Sequence, residues 1–90
     1  MERKRDRLEI IYDILKTINN NQNKIKSTPL LRKSNLSTKR FSGYVQELIE
    51  KEFIKEVGIK NEKHFYLTDK GFAYLEKYKN IVSFIEDFGL

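Results

Sequence analysis

The chain has 90 residues, 39% apolar and 34% charged, with one proline and a formal net charge of +5. That length holds one domain with a modest core and excludes a deep active-site cleft between two domains. With no cysteine and one histidine, His64, neither a disulfide framework, a thiolate zinc site nor a multi-histidine metal centre is possible, and no cofactor is expected.

In chain order, Met1 to Arg7 is charged and runs straight into an amphipathic pattern, which predicts neither a signal peptide nor a membrane span and places the chain in the cytoplasm. Asp6 and Glu9 have capping-box spacing, and Leu8, Ile11, Leu15 and Ile18 recur at helical intervals, so a first helix is expected over roughly Arg7 to Ile18. Ile10 and Ile14 lie beside that stripe and give the helix more apolar surface than one core face needs; a partner is expected to cover them. The polar run Asn19 to Asn23 is a loop. Thr28 before Pro29 reads as the start of a short second helix ending near Ser34. Asn35 and Leu36 form a tight turn, Ser37 caps a third helix, and Phe41, Val45, Leu48 and Ile49 give that helix its apolar side. Phe53 to Val57 and His64 to Leu67 are β-rich stretches separated by Gly58 and a polar tip at Lys60 to Lys63, the pattern of a hairpin. Thr68 then caps a last helix in which Tyr74, Tyr78, Ile81, Ile85 and Phe88 alternate at spacings of four and three.

Helix, short helix, turn, helix, hairpin, helix is the order of a winged helix-turn-helix, an α+β fold that is mostly helical. Residues 1–72 are expected to form the DNA-binding part of such a fold and 73–90 a dimerisation helix, within one structural domain. Charge coincides with that architecture. Between Asp13 and Glu47 stand seven basic residues, Lys16, Lys24, Lys26, Arg32, Lys33, Lys39 and Arg40, and no acidic one, whereas the rest of the chain is slightly acidic. Clustered cations on a small fold release counterions from phosphates, so a polyanion is the expected partner; a merely solvated charged face is the alternative.

Projecting the third helix at about 100 degrees per residue turns Phe41, Val45 and Leu48 inward and Lys39, Ser42, Gly43 and Gln46 outward. The outer strip is the expected major-groove face: Lys39 for guanine or phosphate, Gln46 for an adenine edge, Ser42 for either base or backbone. Gly43 in mid-helix implies a close approach, either to the groove or to the second helix. Arg40 and Tyr44 flank the strip; Arg40 suits phosphate, and Tyr44 is equally a core edge. Ser37, Thr38 and the free amides behind them suit phosphate or plain capping. Lys26, Arg32 and Lys33 are expected along the backbone. Lys60, Asn61 and Lys63 at the hairpin tip are placed for backbone or minor groove, although a polar tip is also an ordinary turn. His64 reads as a strand residue and not as a switch or ligand.

The apolar stripe of the last helix, with Val82 beside it, is wider than a small domain needs; together with Ile10 and Ile14 it is the expected homodimer interface, unless it folds back over the first helix. No paired carboxylates, activated nucleophile or glycine-rich phosphate loop is present, so catalysis is not expected, nor is a small-molecule ligand. The rival to DNA binding is a winged helix used purely as a protein-interaction module.

Three stretches carry a family resemblance: Arg7-Leu8-Glu9-Ile10-Ile11, Asn35-Leu36-Ser37 and Tyr66-Leu67-Thr68-Asp69-Lys70-Gly71. Across most of Asp6 to Leu75 the chain resembles small archaeal winged-helix DNA-binding proteins of the chromatin-associated or predicted-regulator type, which carry a C-terminal coiled-coil helix. The resemblance implies a dimeric binder of double-stranded DNA, reading with its third helix and residing with the nucleoid in the cytoplasm. The Leu-Thr-x-Lys-Gly join is widespread among winged helices, so it is specific for fold and weak for function. The last helix, ending at Leu90, looks shorter than that family's antiparallel coiled coil.

Overall fold

Polar side chains set three of the four helix starts. The Asp6 carboxylate accepts the Glu9 amide at 2.8 Å and opens α1, Arg7–Asn20; Ser37 accepts from Arg40 and opens α3, Thr38–Glu50; Thr68 accepts from Gly71 and opens α4, Asp69–Asp87. The second helix starts differently. Helix α2 spans Ser27–Ser34, its N-cap is Lys26, and no side chain caps it. Thr28 is therefore not the cap, and Pro29 stands third in the helix instead of first. The shift is tolerated because none of the first amides of a helix has an intrahelical acceptor to lose. The computed structural model describes residues 5–90; of the charged stretch Met1 to Arg7, the first four residues lie outside the described residues.

Ahead of α2 lies a strand absent from the sequence-based expectation, β1, Ile25–Lys26. It pairs with β3, Glu62–Leu67, which also pairs with β2, Ile54–Ile59, giving an antiparallel sheet of order β1-β3-β2. The register places Ile25 opposite Phe65, Lys26 opposite His64, and Ile54 opposite Leu67. The Asn23 side chain pins the junction by accepting the Leu67 amide at 2.7 Å. The wing turns through Lys60 and Asn61, with φ of 51° and 65°, between paired Ile59 and Glu62. Two left-handed residues in a two-residue loop match the type I′ turn, whose twist suits a hairpin. Gly58 thus belongs inside β2 and does not separate the strands.

The core draws Ile10, Ile11, Ile14, Leu15 and Ile18 from α1, Leu30 from α2, Phe41, Val45 and Leu48 from α3, Ile25, Ile54, Phe65 and Leu67 from the sheet, and Leu75 from α4. This corrects the first helix. Ile10 and Ile14 are 3% and 1% exposed, so they are not left for a partner; α2, β3 and α4 all pack on α1 and cover a broad side of it. Leu8, assigned to the core stripe, is 54% exposed. Full burial of an Ile or Leu side chain contributes about 1.5–3 kcal/mol, and α1, with five such residues in the core, is the element against which α2, β3 and α4 pack.

The end of α3 aims the wing. Glu52 takes φ 64°, the Phe53 amide donates to the Leu48 carbonyl at 2.9 Å, and the Glu52 amide donates to Ile49 at 3.0 Å, a Schellman closure. The Phe53 carbonyl then accepts the Thr68 amide at 3.1 Å, the Thr68 hydroxyl donates to the neighbouring Glu52 carbonyl at 2.5 Å, and a Cβ on Gly71 would overlap the Phe53 oxygen. The Thr-Asp-Lys-Gly join therefore locks the end of β3 and the start of α4 onto the end of α3.

Candidate nucleic-acid interface

On α3 the expected division of faces is present: Phe41, Val45 and Leu48 are buried, and Lys39, Ser42, Gly43 and Gln46 are exposed. Nothing lies within 4 Å of the position a Gly43 Cβ would occupy, which removes packing against α2 as the reason for the glycine. The Gln46 amide donates to the Glu50 carboxylate at 3.1 Å, a contact that recognition of a base edge has to replace. Ser37 is engaged as the cap, and Thr38 is exposed beside it. Tyr44 is half-buried against the core, the core-edge alternative.

Among the described residues, Lys24, Arg32, Lys33, Lys39 and Arg40 make no ion pair. The other two cations of the acid-free window behave differently. Lys26 pairs with Glu62 of β3 at 2.9 Å and pulls that carboxyl below its ordinary range. Lys16 sits 5.5 Å from the centre of the Tyr12 ring, on the side of α1 that meets α4. Freedom from acid along the chain is thus not freedom from acid in space. On the wing, Lys60 and Asn61 are exposed at the turn and Lys63 approaches Glu56 at 3.8 Å. Ser42 and Gln46 face Glu56 and Lys63 across a shallow cleft, so wing and reading face are adjacent.

Two arginines with a structural part escaped the sequence reading. Arg5 donates to the Asp13 carboxylate and to the Ser34 carbonyl, both at 2.8 Å, and so ties α1 to the end of α2. Arg7 is hydrogen-bonded to Glu47 of α3, and Glu47 also accepts from Lys51 at 3.0 Å. Hydrogen bonds from Arg7, the larger effect, and from Lys51 lower the Glu47 carboxyl to about 2. Their only sequence signal is basic character around the start of α1, which names no partner.

The expected dimer stripe divides in two. Tyr74 donates from its hydroxyl to the Leu8 carbonyl at 2.7 Å and meets Phe53 edge-on, while Tyr78 stacks on Tyr12 with ring centres 4.3 Å apart. Burial raises the Tyr74 hydroxyl to about 12, with Tyr78 and Asp6 adding to the effect. These two side chains pack on their own chain. Ile81, Val82, Ile85 and Phe88 stay exposed, joined by Phe84 and Leu90, which the periodicity did not pick out. His64 is buried in β3, and its Nδ1 has no hydrogen-bond partner among the described residues. Among those residues, no cluster of His, Cys, Asp and Glu is disposed to hold a metal, and no helix is long and apolar enough to cross a membrane.

Residues 4–86 match the winged helix-turn-helix family. The chain is 35% identical over 82 residues to an uncharacterised protein of Methanocaldococcus jannaschii; the match covers 91% of this chain and 36% of that protein, so the chain spans about a third of the relative's length. Its fold is similar to that of Sso10a-2, a DNA-binding protein from Sulfolobus solfataricus, with a TM-score of 0.77, 19% identity, and coverage of 93% of this chain and 85% of the other. It is similar also to F93 from STIV, a winged-helix DNA-binding protein, with a TM-score of 0.76, 21% identity, and coverage of 88% and 91%. With its three helices, hairpin wing and fourth helix in family order, and its sequence matched over nearly the whole length, the chain belongs to the winged helix-turn-helix family.

Proposed function

We propose that the protein binds double-stranded DNA as a homodimer, as a transcriptional regulator or a small chromatin protein in the nucleoid, and that it acts by binding and not by catalysis. The observation that carries this reading is the outer strip of α3. It is exposed, uncluttered at Gly43, and carries Lys39 with Arg40 at its flank, neither of them in an ion pair among the described residues. In this reading α3 enters the major groove, with Lys39, Ser42 and Gln46 toward base edges. Lys26, Arg32, Lys33, Arg40, Ser37 and Thr38 hold the backbone, and Lys60, Asn61 and Lys63 bring the wing alongside. Ile81, Val82, Ile85 and Phe88 support the second half of the proposal, because an exposed apolar run of this kind is the usual surface for a second copy.

A gel shift with random duplex over a salt series tests the reading. Neutralisation of about six phosphates gives a slope of log affinity on log salt near −5, and a flat dependence rejects it. Lys39→Ala with Gln46→Ala is expected to change sequence preference, and Lys60→Ala to weaken binding to all duplexes alike. Equal, non-selective losses from both remove α3 as the reader. Selection from random duplexes separates a regulator, which enriches one motif, from a general DNA coater, which enriches none.

A further inference from the structure

Where the first turn of α1 meets the outer flank of α3 there is a cleft of about 290 Å³, lined by Arg7, Arg40, Gly43, Tyr44 and Glu47. It adjoins the reading strip on the side away from the wing. Its charge is positive on balance: Arg7 and Arg40 lie on its walls, and the single carboxylate, Glu47, already accepts from Arg7 and from Lys51. The Arg7 side chain is 53% exposed and its guanidinium has five N–H donors, of which the carboxylate does not use all. Between the walls, Gly43 presents only backbone, with nothing within 4 Å of its missing Cβ.

We propose that this cleft seats one phosphate of the DNA backbone, with Arg7 and Arg40 as its two cations and Glu47 as a positioning residue that holds the Arg7 guanidinium against α3 in the free protein. The inference rests on the DNA-binding reading and adds to it a contact from α1. Arginine suits the task because its planar fork binds phosphate oxygens in pairs, and bonds between charged partners are the stronger ones. Glu47 is not stranded when Arg7 turns to phosphate, since Lys51 remains on it at 3.0 Å. The carboxylate therefore both preorganises Arg7 and competes with DNA for it. Its removal frees Arg7 and takes a negative charge away from the phosphate.

Duplex affinity is measured against salt for the full chain and for Arg7→Ala, Arg7→Lys, Glu47→Gln and the double variant Arg7→Ala/Glu47→Gln, with thermal unfolding recorded for each. Arg7→Ala is expected to weaken binding to all sequences alike and to reduce the salt slope by about one, so that the affinity lost between 50 and 200 mM salt shrinks by about three- to fourfold. Arg7→Lys keeps the slope but loses affinity. Glu47→Gln tightens binding by about two- to fivefold at low salt, roughly the effect of one charge near the duplex, and the gain is smaller in the double variant, where the negative charge is gone but there is no Arg7 to free. A purely structural Arg7–Glu47 pair predicts equal losses from Arg7→Ala and Glu47→Gln. That result, an unchanged affinity in Glu47→Gln, or an unchanged slope in Arg7→Ala while the parent binds DNA normally, overturns the clamp. If the parent itself shows no salt-dependent binding, the DNA-binding reading fails and the clamp with it.

Discussion

Gly43 stands in the middle of α3 with open space where a side chain would be, so Gly43→Ala meets no clash and gains the helix propensity that glycine lacks. The substitution is expected to raise unfolding free energy by about 1 kcal/mol, visible as a higher urea midpoint at unchanged slope. If the glycine is there to let the groove reach the α3 backbone, the same protein binds duplex DNA more weakly. Gain of stability with unchanged affinity would show that the duplex does not press on this position. Glu47 makes stability depend on pH. Its carboxyl is lowered from 4.5 to about 2 by hydrogen bonds from Arg7 and Lys51. A carboxylate with a depressed folded pKa stabilises fully above its unfolded value, and that contribution is lost as pH falls toward the folded value. The stability difference between the parent and Glu47→Gln should therefore be constant above roughly pH 5 and shrink steadily below it. A difference that persists unchanged to pH 2.5, about two units down, would show that the carboxylate is not held as described.

Among the elements, the wing depends on a turn in which both residues are left-handed, a conformation that Lys60 and Asn61 adopt less readily than glycine does. Asn61→Gly relieves that cost at the second position, where glycine is favoured in a type I′ turn, and should add about 0.5–1 kcal/mol of stability in urea unfolding. No gain would mean that the turn is not under this constraint in solution. The hairpin itself is legible because aromatic and β-branched residues mark both arms. The polar tip at Lys60 and Asn61 is where the chain turns; Gly58 reads as a break because glycine usually signals one, whereas here it is paired inside β2 with open space where a Cβ would stand. Strand β1 left no trace in the pattern. Two residues show no periodicity, and Ile25–Lys26 is a strand only because β3, far along the chain, pairs with it. Ile10 and Ile14 illustrate the same limit. Periodicity exposed the surplus of apolar surface on α1, but what covers it is decided by α2, β3 and α4 arriving from elsewhere. The candidate interface divides likewise: the outer strip of α3 follows from helical geometry alone, while the Arg7–Glu47 and Lys26–Glu62 pairs join residues that only the fold brings together.

For the molecule as a whole, the decisive question is what covers the distal part of α4. Its proximal turns are fixed to the body by the Tyr74 hydroxyl on Leu8 and by the Tyr78–Tyr12 stack, so the direction of α4 relative to α3 is set within one chain. A second copy packed on Ile81, Val82, Ile85 and Phe88 would then set the separation and mutual orientation of two reading helices, and through them the spacing of two half-sites. Because these side chains are exposed and do not belong to the buried core, Ile81→Lys with Ile85→Lys should leave the protomer folded. The parent is expected to sediment as two chains and to melt at a temperature that rises with protein concentration; the double variant should sediment as one chain and lose that dependence. Joining two weak DNA contacts multiplies apparent affinity by about 10²–10⁴ when both sites can be engaged, so the variant should lose at least about tenfold in duplex affinity, with the salt slope roughly halved because half the phosphates are contacted. A parent that sediments as one chain at concentrations where it binds duplex fully would rule out the dimer and leave the single-copy reader intact. A monomeric variant with parental affinity would show instead that pairing exists but does not couple the two readers, since the second copy would then add no contact to the first.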